Sequence, residues 1–308
     1  MINRELIRLK AVQILYSHYN REGQTPETAE KEFLSSLDKA YELYQFLLML
    51  MVSVHHMATR IIEMRQSRAH RLGENDTVST KFIQNRFIAQ LRENEQLRAF
   101  KEKNNTFWSD EEDFLRQFYS KITEQPFYKE YMQNGDSSYE EDRELWRLIY
   151  RHLIVENEEL DEILEDRCIY WNDDKPIVDT FVLKTIRRFE EKMGPQQPLL
   201  PEFKDSDDRD FAVTLFRTAL KGEDNFRGLI KDQTKNWDLD RIALMDLVIM
   251  QVALAEITSF PGIPLSVSIN EYVEVAKYYS TPRSGSYING MLDTISKRLI
   301  AENKIEKK

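Results

Sequence analysis

The stretch Trp237-Asp238-Leu239-Asp240-Arg241-Ile242-Ala243-Leu244-Met245-Asp246 opens a segment that stays apolar almost all round as far as Ile257. Side chains of that kind on every face require a helix buried on every side, so residues 239–257 are expected to form the core helix, capped by Asp238 or Asp240. Downstream, Ile263-Pro264 leads into Ser268-Ile269-Asn270-Glu271, whose Ser and Glu have capping-box spacing and predict a second helix start. A third block, Ser284-Gly285-Ser286-Tyr287-Ile288-Asn289-Gly290-Met291-Leu292-Asp293, begins the last helix. With only 9 Gly and 9 Pro in 308 residues, helical periods outnumber alternating strand patterns, and the expected class is all-α.

At the other end, Ile7, Ala11, Ile14 and Leu15 recur at helical spacing and predict a first helix from about Asn3 to Tyr19. Arg4 and Arg8 lie one turn apart, and Tyr19 returns to nearly the azimuth of Arg8, so a cationic and aromatic edge is expected beside the buried stripe. After Gly23 and Pro26 a helical stretch continues toward Arg71. Residues 72–204 are highly charged, yet Phe114, Phe118, Trp146, Ile149 and Leu153 supply apolar faces, so extra helices are expected there and not disorder. Breaks fall at Gly73, Asn104-Asn105, Asn134-Gly135-Asp136 and Gly194-Pro195, and Ser109 with Glu112 is a further capping-box candidate. A constant offset of 66 residues places Asp142 on Asp208, Arg151 on Arg217, Asp166 on Asp232, Trp171 on Trp237, Asp174 on Asp240 and Val182 on Val248. Residues 142–190 therefore read either as a decayed copy of a later helical unit or as two unrelated amphipathic pairs that happen to align.

The net charge of −10 excludes a surface basic all over, so any phosphate-binding footprint has to be local. Basic islands lie at residues 1–21 (Arg4, Arg8, Lys10 and Arg21 against Glu5) and at residues 297–308. The lone Cys168 fits a reducing compartment. The apolar run Phe46–Val54 is too short to cross a bilayer, and a soluble cytoplasmic protein with no membrane partner is expected. The five histidines form no His-Glu-x-x-His array, and neither a Gly-rich phosphate loop nor a Gly-x-Ser-x-Gly elbow occurs. No enzyme, cofactor or metal site is expected. The acidic runs at 110–113 and 205–210 read as solvated helix faces.

The best candidate surface is expected to join the N-terminal helix, with Arg4 and Arg8, to the start of the last one, where most of the binding chemistry lies. Ser284, Gly285 and Ser286 can leave amides free at a positive dipole end that suits a phosphate, with Arg283 adding a full charge. Tyr287 offers a ring on which an unpaired base could stack, and Asn289 a side chain for a base edge. The competing reading makes Tyr287 a core plug and Gly290 a point of close helix contact; for Gly290 the second reading is preferred, because a mid-helix glycine costs about 1 kcal/mol against alanine.

Trp-x-Leu-Asp-Arg-Ile-x-x-Met-Asp, Ile-Pro, Ile-Asn-Glu-x-Val-Glu-x-Ala-Lys and Tyr-Ile-Asn-Gly-x-Leu-Asp, in that order over residues 205–298, resemble the NusB family of transcription antitermination factors; Ala11-Val12-Gln13-Ile14-Leu15-Tyr16 matches its first helix. The resemblance implies a NusB-like helical bundle of two subdomains with an additional inserted α-helical region, divided as 1–71, 72–204 and 205–308. It implies a role without turnover. A boxA-like single-stranded element of nascent ribosomal RNA would be held together with NusE, a ribosomal small-subunit protein, within the RNA polymerase antitermination complex. RNA would contact Arg4, Arg8, Lys10, Tyr19, Arg283, Ser284, Tyr287 and Asn289, and NusE would contact Asp240, Arg241 and Asp246. The chain departs from the family where Glu5, Leu6 and Ile7 dilute the arginine run before the Ala-Val-Gln segment; Arg283 stands where the family can carry an acidic residue and offsets part of that loss. Two other readings are a non-catalytic adaptor that uses the insertion, and the RNA-binding part of a ribosomal-RNA methyltransferase system, which would need a Rossmann-like sheet and a catalytic cysteine.

Overall fold

A computed structural model describes residues 1–72, 79–104, 107–135, 138–234 and 242–306, and among these the regular elements are helical apart from an isolated parallel bridge between Ile2 and Phe203. Helices α1 (Arg4–Asn20) and α2 (Pro26–Leu72) are followed by α3 (Arg86–Glu93), α4 (Glu95–Lys103), α5 (Glu112–Glu124), α6 (Pro126–Gln133) and α7 (Tyr139–Ile149). Then come α8 (Glu158–Arg167), α9 (Trp171–Arg188), α10 (Ser206–Lys221), α11 (Glu223–Gln233), α12 (Leu244–Ser259), α13 (Leu265–Tyr279) and α14 (Ser284–Ala301). The all-α expectation holds.

The chain forms two compact units: an inserted unit of Lys39–Pro201 with Met1, and a terminal unit of Ile2–Asp38 with Glu202–Lys308. The inserted unit thus starts some thirty residues before the expected boundary at 72, inside the unbroken helix α2. Aromatic packing explains this. Phe46 meets Phe107 at 4.3 Å and Trp171 at 5.4 Å, the Trp171 indole donates to the Lys39 carbonyl, and the Tyr44 and Thr185 hydroxyls lie 2.7 Å apart. Contrary to the short-run argument, α2 is by length and composition apolar enough to cross a membrane, but 67% of the qualifying stretch is buried in the protein, as in a core helix.

In the terminal unit α12 is the core, buried without interruption from Asp246 to Ile257. It starts at Leu244 and not at Leu239, because Ala243 holds extended backbone (ψ 135°) and no side chain caps it. The expected caps Asp238 and Asp240, with Trp237, Leu239 and Arg241, lie outside the described residues. Helix α13 also departs from expectation: Pro264 occupies the cap position, so Ser268 falls inside the first turn and its hydroxyl goes to Glu256 at 2.8 Å. The cap position of α5 is held by Glu111 and not by Ser109. A complete capping box forms instead at Ser138 and Glu141, opening α7. Asn3 caps α1 through the Leu6 amide at 2.9 Å.

The 66-residue offset carries over to helix bounds. Helix α8 maps onto residues 224–233 and α11 spans Glu223–Gln233, while α7 with its π-turn extension to Ile154 maps onto 205–220, where α10 spans Ser206–Lys221. Buried positions coincide as well: Trp146 with Ala212, Tyr150 with Phe216, Leu160 with Phe226, Leu164 with Ile230, Val182 with Val248, and Ile186 with Val252. The third pair is out of step, since α9 maps onto residues 237–254 whereas α12 spans Leu244–Ser259, so the match in bounds is confined to two helix pairs.

Leu254 has no exposed surface. Leu254→Ala is expected to cost about 2–5 kcal/mol, read as a lowered urea midpoint with unchanged slope.

Candidate nucleic-acid interface

Within the terminal unit, the residues proposed from sequence separate into two groups at opposite ends of α12. At its C-terminal end Glu256 is fully buried and accepts four hydrogen bonds: Arg8 Nε at 2.7 Å, a second Arg8 nitrogen at 3.0 Å, Ser268 Oγ at 2.8 Å and Tyr272 Oη at 3.0 Å. A carboxylate offers about four lone-pair positions, and all are used. Arg8 also donates to Glu271 at 2.9 Å, which places one guanidinium between α1, α12 and α13. Burial beside Glu256 holds the Tyr272 phenol well above its ordinary pKa.

Arg8 therefore does not lie on a solvent-facing edge, because only 5% of its surface is exposed; Lys10 is wholly buried. Both are corrections to the expected cationic edge: the apolar stripe of α1 is wider than the spacing of its aliphatic residues indicates, and Arg8 reaches a carboxylate 248 positions away. Arg4 is the exposed member of the set. Its guanidinium lies 4.9 Å from the Phe211 ring centre and 3.4 Å from Asp208.

The other end of α12 sets the start of α14. The Asp246 carboxylate accepts hydrogen bonds from the Ser280 hydroxyl and from Ser284 Oγ, the latter at 2.9 Å, and Thr281 Oγ1 lies 2.9 Å from Ser284 Oγ. Asp246 is 7% exposed and Ser284 4%. Asp246 thus ties the α13–α14 connection to the core helix and is not presented to a partner, and Ser284 is withdrawn from the expected phosphate slot. The Ser284 amide bonds the Thr281 carbonyl, and Asp246 already supplies negative charge at this helix N-terminus.

What remains accessible is a face of α14. Arg283, Ser286, Tyr287 and Gly290 are exposed along one side of it, with Arg283 and Tyr287 one turn apart, while Asn289 is exposed on nearly the opposite side. Tyr287 is 38% exposed, and partial burial with the nearby Asp246 charge raises its pKa, which keeps the phenol neutral. The ring is not a core plug. Gly290 likewise departs from the close-packing expectation: a Cβ built there meets nothing within 4 Å. Tyr278, 79% exposed at the end of α13, is an accessible ring that sequence reading passed over; the doublet Tyr278-Tyr279 before Ser280-Thr281-Pro282 was the available signal. Tyr279 is half-buried, with its hydroxyl accepting from Gln13 at 2.8 Å.

Tyr19 belongs to neither group. It is half-buried, its hydroxyl accepts from Gln251 at 2.7 Å, and Arg227 lies 4.5 Å from its ring centre. Burial pushes its pKa up to about 12. Ten residues of α12 separate Asp246 from Glu256, about 15 Å along the axis, so the Arg4 and Tyr287 neighbourhoods are distinct. Asp240 and Arg241, expected from the sequence to meet a partner, lie outside the described residues.

Comparison with known proteins places these helices in context. The model of the NusB family matches residues 181–297. The chain is similar to the transcription antitermination protein NusB of Salinibacter ruber, at 36% identity over 41% of this chain and 82% of that one. It is similar as well to NusB of Koribacter versatilis, at 40% identity over 31% of this chain and 66% of that one. A solved structure of T. maritima NusB aligns at 24% identity with a TM-score of 0.31, covering 53% of this chain and 95% of the other.

The two ends of α12 call for different outcomes. Arg8→Ala leaves Glu256 buried and unpaired and is expected to lower unfolding free energy by about 3–5 kcal/mol, whereas Arg4→Ala should stay within about 0.5 kcal/mol; parallel urea titrations compare them. Gly290→Ala is expected to stabilise the fold by about 0.5–1 kcal/mol, since the added methyl enters open space, and the same titration reads it.

Proposed function

This chain belongs to the NusB family, and on that premise we propose that it serves transcription antitermination by holding a boxA-like single strand of ribosomal RNA on the exposed face of α14, jointly with NusE. It acts by binding and not by turnover. The observation that carries this reading is the pairing of Arg283 with Tyr287 on one accessible helical face, beside an unobstructed Gly290. A neutral phenol ring accepts a base by stacking, an arginine one turn earlier meets a phosphate, and a strand that continues round α14 brings a base edge to Asn289. The bare backbone at Gly290 lets the strand approach more closely than any side chain would allow. Tyr278 adds a second ring near the same connection.

The basic contribution is small. Arg8 and Lys10 are internal, and Arg4 lies near the far end of α12. A protein with net charge −10 whose Arg8 and Lys10 are internal binds RNA weakly alone, which fits shared binding with a partner that supplies further phosphate contacts. In this reading NusE docks along the segment containing Asp240 and Arg241, while Asp246 acts from within by fixing where α14 begins.

Fluorescence anisotropy with labelled boxA-like RNA and NusE tests the proposal. Tyr287→Ala is expected to weaken binding about tenfold, and Arg283→Glu to weaken it and flatten the salt dependence by about 0.7 in log–log slope. Binding unaltered by both substitutions would remove the α14 face from the site.

A further inference from the structure

The inserted unit carries a concavity that antitermination chemistry does not use. Its floor is apolar and deep: Met49, Val52, Met57, Leu97, Trp108 and Leu115 are each at most 8% exposed. Its mouth is cationic, with Arg60, Arg92, Arg98 and Lys101 drawn from three helices against the single lining carboxylate Glu112. Glu112 is 2.9 Å from Arg60 and shared with Arg116 at 3.5 Å. Glu93 is 3.0 Å from Arg92 and 3.8 Å from Arg98, whose side chain is 59% exposed, so the four cations meet two carboxylates and the mouth keeps a positive excess. Four cations around an apolar floor form a strong local departure from a chain of net charge −10. None of the lining residues lies on α7, α8 or α9, so the pocket is built by what the inserted unit has beyond the helices that parallel α10 and α11.

From this geometry we infer that the inserted unit docks an acidic peptide segment, which places one bulky apolar side chain in the pocket and sets flanking carboxylates against Arg60, Arg92, Arg98 and Lys101. The cavity volume, about 240 Å³, is below the range of roughly 300–1,000 Å³ usual for dedicated small-molecule clefts and fits an anchoring side chain. Cations spread over three helices match several anions spaced along a chain better than a single headgroup. Methionines at 49 and 57 give a floor that adapts to aliphatic or aromatic anchors. An RNA base is a poorer occupant: the only lining indole, Trp108, is 2% exposed and its N–H donates to the Phe46 carbonyl at 2.9 Å, so no ring face is offered for stacking.

The test uses the full chain and a fluorescein-labelled ten-residue peptide with a central Leu-Phe pair between runs of Glu. Saturable one-to-one binding is expected, weakened at least tenfold by the double substitution Arg98→Glu with Lys101→Glu, and at least tenfold by Ser53→Trp, which fills the mouth. Replacing the Leu-Phe pair by Ser-Ser should abolish binding, and raising salt should weaken it. Circular dichroism and urea midpoints like those of the parent chain establish that the variants are folded. Absent binding, binding that survives both sets of substitutions, or equal binding of the Ser-Ser peptide would each overturn the assignment. So would labelled oligouridylate binding more tightly than the peptide with the same dependence on Arg98 and Lys101. BoxA-RNA binding is expected to be unchanged in the pocket variants, so failure here and failure of the α14 reading are separable.

Discussion

One buried carboxylate organises the terminal unit. Glu256 sits where α1, α12 and α13 meet, and leaving it unpaired there would be prohibitive; its oxygens are instead filled by Arg8, Ser268 and Tyr272. The cluster sets helix register: Arg8 fixes how far α1 slides along α12, and Ser268 with Tyr272 fixes α13 against the same turn. A hydrophobic cluster of equal volume would tolerate shifts that this arrangement does not, because hydrogen bonds fail steeply with distance and angle.

A second carboxylate, Asp246, does related work at the opposite end. By accepting from Ser280 and Ser284 it ends α13 and begins α14, which leaves Arg283, Tyr287 and Asn289 facing outward from a fixed starting point. The exposed face is thus specified from inside. Partial burial, with the Asp246 charge second, moves the Tyr287 phenol further above its ordinary pKa.

Much of the fold was legible because apolar spacing reports burial directly: α1, the apolar core of α12 and the last helix were anticipated to within a few residues, apart from the N-terminal end of α12. Polar positions were harder. Arg8 and Lys10 have the spacing of a flanking edge, and nothing local reveals a partner 248 residues away. Ser268 has the spacing of a cap, but Pro264 starts the helix a turn earlier and frees the hydroxyl for Glu256. Asp246 looks like a surface acid until the loop that satisfies it is in place. Gly290 was misread because cost alone does not say whether a neighbour or empty space explains a glycine. The edge of the inserted unit was missed for a different reason: α2 has no break near Asp38, and a unit boundary inside a continuous helix leaves no punctuation.

That arrangement has a consequence for biosynthesis. The terminal unit is assembled from chain segments separated by the whole of residues 39–201, so Arg8 leaves the ribosome long before Glu256 exists. The inserted unit closes on contacts made entirely before residue 202 and completes its core first during vectorial synthesis. Until α12 emerges, α1 carries a buried-type arginine, a lysine and a row of aliphatic side chains in water. Helix α1 is therefore the element whose burial waits longest on residues still to be made.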